Sequence, residues 1–184
     1  MKIDKVKVNK NKVMVIGGVP QSVNGIPTGG YWPHMIPEGL EEKEELEVLI
    51  LGVAGGTLAR IVLEKCPKAK ITGVDNNEEI IEWAKKNFDL KKIKMKILIE
   101  NGYWFVKLTS QKFDLILVDM WDGFLFPIKS LSKGFIEDLK KILKPGGEVR
   151  INTPSLDFMA KESLAGLEAY RDDIGRNVIY RFKI

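Results

Sequence analysis

Two carboxylates three positions apart, Asp119 and Asp122, bracket a tryptophan in the stretch DLILVDMWDGFLFP, where the apolar run Leu115 to Val118 breaks off. An acid at a strand end can attract an ammonium group, orient it and assist its deprotonation, and such general-base help is worth roughly 10²–10⁴ in rate. Turn chemistry accounts for the same residues, because Asp and Gly are types that a chain reversal selects. Tyr31, Trp32 and Trp121 bear on the choice, since their rings can wall a cation. Ordinary packing competes with that role for Trp121 and is the expected fate of Trp83 and Trp104.

A second cluster has its own chemistry. The loop Gly52, Val53, Ala54, Gly55, Gly56 follows an apolar strand and opens a helical segment, a geometry that brings backbone N–H groups to a ligand. Asp75 closes the next strand about 20 residues later, where a carboxylate can accept both hydroxyls of a ribose. A tight turn and a capping Asp explain either feature alone; the two at successive strand ends imply a nucleoside ligand. The third glycine of a dinucleotide-type GxGxxG falls on Thr57, so that pattern is broken.

These groups need a sheet to position them. From Glu47 onward β-rich runs alternate with segments of helical period, as in a parallel sheet covered on both faces. EVLILG, KITGVD, KMKILIE, FDLILVD and EVRINT read as strands, and FDLILVD, the most apolar, as the central one. Leu58, Ile61 and Val62 mark one helix, stopped by Pro67. A second is capped by Asn76 or Asn77 and buries Ile80, Ala84 and Phe88. YWFVKL is a short helix, Phe135, Leu139 and Leu143 mark another before a KPGG turn, and Ser155 caps a last one. The tail folds about Ile174-Gly175 as an antiparallel hairpin, there being no room for a crossover. KVKVNKNKVMVIGG reads as a separate hairpin turning on Asn and Lys, and GIPTGGYWPHMIPEG as a loop or short helix too rich in Gly and Pro for the core. Residues 1–40 are thus expected to form an N-terminal β-hairpin and substrate-side loop, and 41–184 the main α/β domain.

Composition excludes several classes. With 184 residues, 45% hydrophobic and 29% charged, the chain has the profile of a globular protein with one substantial core. Its formal charge of +4 is not gathered into a Lys/Arg block, so nucleic acid is not the expected partner. The single Cys66, read as buried and inert, excludes an internal disulfide, and with His34 the sole histidine no metal site is expected. No apolar run approaches the ~18 residues of a membrane span, and the expected compartment is the cytoplasm.

An open sheet ending in an antiparallel hairpin resembles the class I S-adenosylmethionine-dependent methyltransferases, a Rossmann-like fold. Within them the chain resembles the spermidine synthase family and its shorter spermidine synthase-like relatives. The matching stretches run in order from Ile16 to Asn152: IGGVPQS, GYW, VLILGVAGGTLAR, ITGVDNNEEIIEWAKKNF, ENGYWF, FDLILVDMWDGFLFP and GFIEDLKKILKPGGEVRIN. The resemblance implies that Gln21 and the Gly52–Gly56 loop contact the aminoacyl or aminopropyl side of the cofactor, with Asp75 and Asn76 at the ribose. It places Asn101 and Gly102 beside adenine, Asn101 standing where the family usually has Asp. Asp119 falls on the catalytic acid, Asp122 on the second acid of the pair, and Tyr31 on the amine side. The chain departs from the family at Ala54, at Asn77 and in DMWDG, and the longer C-terminal part of a polyamine site is expected to be absent or abbreviated.

The implied function is transfer of a methyl or aminopropyl group from S-adenosylmethionine or its decarboxylated form to a small amine or similar nucleophile, with a homo-oligomer left open. A nucleic-acid methyltransferase and a non-catalytic cofactor-binding module remain the alternatives.

Overall fold

The computed structural model describes residues 3–8, 11–122, 125–154 and 156–184. Of the expected Asn/Lys turn, residues 9 and 10 lie outside the described residues, as does the expected Ser155 cap. Strands β1 (Ile3–Val8), β2 (Asn11–Ile16) and β3 (Val19–Val23) form an antiparallel sheet of their own. The expected hairpin is therefore a three-stranded meander. Its third strand was hidden because Pro20 interrupts the β pattern; Pro is tolerated here because β3 is an edge.

The main sheet is built from β4 (Glu47–Leu51), β5 (Lys70–Asp75), β6 (Lys96–Ile99), β7 (Phe113–Val118), β8 (Leu143–Thr153), β9 (Ala169–Ile174) and β10 (Asn177–Lys183). Its order is β6-β5-β4-β7-β8-β10-β9, parallel from β6 to β8 and antiparallel through β10 and β9. Helices α1 (Thr57–Lys65), α2 (Glu78–Asn87), α3 (Gly102–Leu108), α4 (Lys133–Ile142) and α5 (Asp157–Ser163) connect the strands. As its composition predicts, β7 is central. Leu115 and Leu117 pack on one face and Phe113, Ile116 and Val118 on the other, all buried. Each such side chain contributes roughly 1.5–3 kcal/mol of transfer free energy.

Asn77, rather than Asn76, caps α2, accepting from the Ile80 N–H at 3.0 Å. Ile81, Ala84 and Phe88 are the fully buried residues on this side, with Ile80 only partly covered. Leu143, expected at the end of a helix, instead begins β8 opposite Phe113, and the KPGG residues bulge from the ladder before Leu115 meets Glu148. The Gly- and Pro-rich segment after β3 also differs from expectation. It forms a 3-10 turn at Trp32–Met35 and buries Trp32, Met35, Ile36 and Leu40 against Val48, Ile50, Leu115 and Leu117. Four large apolar side chains outweigh the local loop chemistry.

Among the described residues no helix is long and apolar enough to cross a membrane.

Candidate functional site

Strand order reverses between β4 and β7, and in open α/β sheets ligands bind in the crevice beyond the strand C-termini at such a point. A cavity of about 480 Å³ opens there. Its wall includes Gln21, Tyr31, Gly52, Ala54, Asp75 and Asn76, and continues through Asn101, Gly102, Asp119 and Asp122. The two sequence clusters therefore share one cavity.

Gly52 is what lets them meet. Its φ is +90°, and a Cβ at this position would stand 2.2 Å from the Asp119 carbonyl oxygen, so the loop after β4 touches the backbone at the end of β7 only because no side chain intervenes. Ala54 adopts φ +44°, a left-handed conformation that costs an L-residue roughly 1–2 kcal/mol. Gly55 and Gly56 do not line the cavity: they face Phe88 and Ser22, and Ile93 and Leu90, respectively.

The loop amides point inward. Val53 and Ala54 donate to Asp75 Oδ2 at 2.9 and 3.0 Å, Gly55 donates to Ser22 Oγ at 2.8 Å, and Gly56 donates to the Val53 carbonyl at 2.8 Å. The expected ligand-facing N–H groups are thus taken by protein acceptors, because a carboxylate 22 residues away in sequence sits within reach of two of them. Asp75 Oδ1 accepts from the Asn77 N–H at 2.9 Å. Of the roughly four lone-pair sites on a carboxylate, one remains, on Oδ1, where two were expected for the ribose.

Ser22 and Thr57 were not singled out from sequence. Both are buried, and Thr57 Oγ1 accepts from Val23 N at 2.8 Å and donates to Val23 O at 3.1 Å, so β3, which carries Gln21, is stitched to the glycine loop. Ser22→Ala leaves the Gly55 N–H buried without its acceptor, and a loss of about 1–3 kcal/mol in chemical denaturation is expected. An unchanged midpoint would show that water or a shifted loop replaces the hydroxyl.

At the other end, Asp119 Oδ2 accepts from the Tyr31 hydroxyl at 2.9 Å and Oδ1 from Asn152 Nδ2 at 2.7 Å. Asn177 Nδ2 in turn donates to Asn152 Oδ1 at 2.8 Å, which fixes the amide with its NH₂ toward Asp119. Burial raises the Asp119 carboxyl to about 6, although its bonds from Asn152 and Tyr31 pull the other way. Burial, and then the Asp119 charge, holds the Tyr31 phenol well above 10. Asp122 is exposed; its backbone closes a tight loop with Leu125 through reciprocal 2.9 Å bonds while its residue lines the cavity.

Tyr31 and Trp32 pack at 4.8 Å between centroids and both reach the cavity; Trp121 does too, edge-on to Phe126 at 5.4 Å. Trp104 contradicts the packing expectation, being 55% exposed with Lys107 Nζ 5.3 Å from its ring. Asn101 caps α3, its Oδ1 accepting from Tyr103 N and Trp104 N at 3.0 and 3.2 Å, so that oxygen is already engaged. His34 is exposed and Cys66 buried, neither on the cavity wall.

Residues 4–163 match the family model described as a spermine/spermidine synthase domain. The chain belongs to the spermine/spermidine synthase family. It is 34% identical over 124 residues to a polyamine aminopropyltransferase of Sulfurisphaera tokodaii, covering 61% of this chain and 40% of that protein. A polyamine aminopropyltransferase of Thermoplasma acidophilum is 32% identical over 121 residues, covering 62% and 44%. The chain thus matches about two fifths of the length of these curated relatives. Among solved structures, a probable spermidine synthase from Corynebacterium glutamicum superposes with a TM-score of 0.77 at 22% identity, covering 98% of this chain and 76% of that one. Human methyltransferase-like protein 13 gives 0.67 at 24% identity, covering 83% and 78%. The fold is therefore the Rossmann-like methyltransferase fold that this family shares.

Proposed function

We propose that the protein transfers an aminopropyl group from decarboxylated S-adenosylmethionine to a small amine. One observation carries the reading: the ionisable groups that line the cavity are Asp75, Asp119, Asp122 and two tyrosines, with no Lys, Arg or His among the described residues on its wall. Such a wall favours a sulfonium cation and an ammonium acceptor, and opposes a phosphate backbone. It also opposes the carboxylate of intact S-adenosylmethionine, for which the inward-turned loop amides offer no free donors. The relatives named above carry the aminopropyltransferase description, which supports the same reading.

Residues 1–40 supply Ile16, Gln21, Ser22, Tyr31 and Trp32 to this cavity and residues 41–184 the remainder. Asp75 and Asn76 hold the ribose side, Gly102 and Asn101 the base side, and Gln21 with Gly52 and Ala54 the propylamine side. The bound donor supplies an electrophilic carbon next to sulfur. Asp119 takes a proton from the acceptor ammonium, and the freed nitrogen lone pair forms the new N–C bond as the C–S bond breaks with its electron pair going to sulfur. Asp122 orients the acceptor, and Tyr31 holds Asp119 in place while its ring and those of Trp32 and Trp121 wall the cation.

Calorimetric titration with the two donors and methylthioadenosine tests this. Decarboxylated S-adenosylmethionine is expected to bind at least about tenfold more tightly than S-adenosylmethionine, a difference of about 1.4 kcal/mol. Equal affinity would remove the argument from the anionic wall, and no binding by any of the three would remove the nucleoside site.

A further inference from the structure

Strand β8 lies between β7 and β10, where a sheet interior selects apolar side chains, yet every second residue toward its end is polar. Glu148, Arg150 and Asn152 are exposed by only 7%, 6% and 1%, and the strand period of two places all three on one face. Asn152 is accounted for by Asp119. The other two form an ion pair, Arg150 Nε to Glu148 Oε1 at 2.5 Å, that the proposed chemistry does not use. Burying such a pair often returns less stability than an apolar pair of the same volume. Its purpose has to be sought in what Arg150 touches.

Arg150 Nη1 donates to the carbonyls of His34 at 2.7 Å and Ile36 at 3.1 Å. Both belong to the turn that starts at Tyr31, whose own carbonyl accepts from the N–H groups of His34 and Met35 at 3.0 and 3.2 Å. Glu148 fixes the guanidinium plane through Nε while Nη1 reaches both carbonyls, two donor nitrogens on one rigid plane that a lysine lacks. The same face of β8 thereby grips both partners of the Tyr31–Asp119 bond: Asn152 holds the acid and Arg150 holds the segment that delivers the phenol.

We infer that Arg150, oriented by Glu148, is a positioning residue that fixes Tyr31 over Asp119 at the acceptor end of the cavity. Its catalytic consequence rests on the aminopropyl-transfer reading; its structural content does not. The test is the double variant Glu148→Leu/Arg150→Met, which removes the clamp and leaves no buried charge unpaired. The expected result is a folded protein in which the amides of His34, Met35 and Ile36 exchange at least about tenfold faster. The Tyr31 phenol, followed by ring-carbon NMR, is expected to titrate closer to 10. Acceptor KM rises at least about tenfold, while affinity for decarboxylated S-adenosylmethionine stays within about twofold.

Arg150→Lys keeps a cation beside Glu148 but cannot span the carboxylate and the two carbonyls from one rigid plane, and carries the same exchange and titration readouts should the double variant fold poorly. Native exchange at residues 34–36 or an unmoved Tyr31 titration overturns the inference. If the native protein turns over no amine, the functional reading fails, and exchange and titration still decide the clamp.

Discussion

Asp119→Asn is expected to lower turnover by roughly 10²–10⁴ while leaving donor affinity within about tenfold, because the substitution removes the proton acceptor and keeps the side-chain shape. In the native protein kcat/KM should rise with pH through an apparent value near 6, where the Asp119 carboxyl ionises. The residual activity of the variant should lack that limb.

Stability supplies a second readout of the same group. Its folded value lies above the ordinary 3.8, so between about pH 4 and 6 the native state holds more protons than the unfolded chain. Stability is therefore lost as pH rises through that window, by about 3 kcal/mol from this one side chain. Above pH 6 Asp119→Asn should be the more stable protein, and near pH 3 the advantage should vanish. A variant that keeps full activity and shows the native stability profile would remove Asp119 from the mechanism.

Asp75→Ala is expected to weaken donor binding by more than tenfold, about 1.4 kcal/mol, and to lower the unfolding temperature as well. Two losses combine: the remaining ribose acceptor on Oδ1, and the carboxylate that collects the amides of Val53, Ala54 and Asn77. Each amide left without a partner costs about 1–3 kcal/mol where water cannot reach it. Asp75→Asn, whose amide oxygen still accepts from Val53 and Ala54 but whose NH₂ then faces the Asn77 N–H, should recover part of the thermal stability and less of the affinity. Unchanged calorimetric binding by Asp75→Ala would place the ribose elsewhere.

The parallel strands and their order of appearance were legible because a buried strand leaves a continuous apolar run and its neighbours leave helical periods. Asp119, Asp75 and Gly52 were legible because strand ends mark the ligand edge of such a sheet. β3 was not, since Pro20 and the polar pair Gln21-Ser22 carry no β pattern and the strand is fixed by pairing with β2 and by hydrogen bonds to a loop more than thirty residues away. Nor was burial of the segment at Trp32–Met35 legible, its apolar residues being masked by the glycines and prolines around them. The inward turn of the glycine loop was equally hidden. Spacing shows that amides and a carboxylate are near one another, and only the distances show that they satisfy each other. Asn152 does carry a sequence mark: EVRINT alternates polar and apolar where a fully buried strand has no reason to.

The bonds that hold Tyr31 link residues far apart along the chain: 88 positions separate it from Asp119, and 116 separate His34 from Arg150. Closing loops of that length costs entropy before any contact returns it, and these contacts have no local helix or hairpin to nucleate them. The amine end therefore depends on the pairing of β7 with β8, since Asp119 follows the one and Arg150 and Asn152 lie on the other. Three distant stretches of chain, around residues 31–36, at 119 and at 148–152, must all be in place at once for the acid to be held.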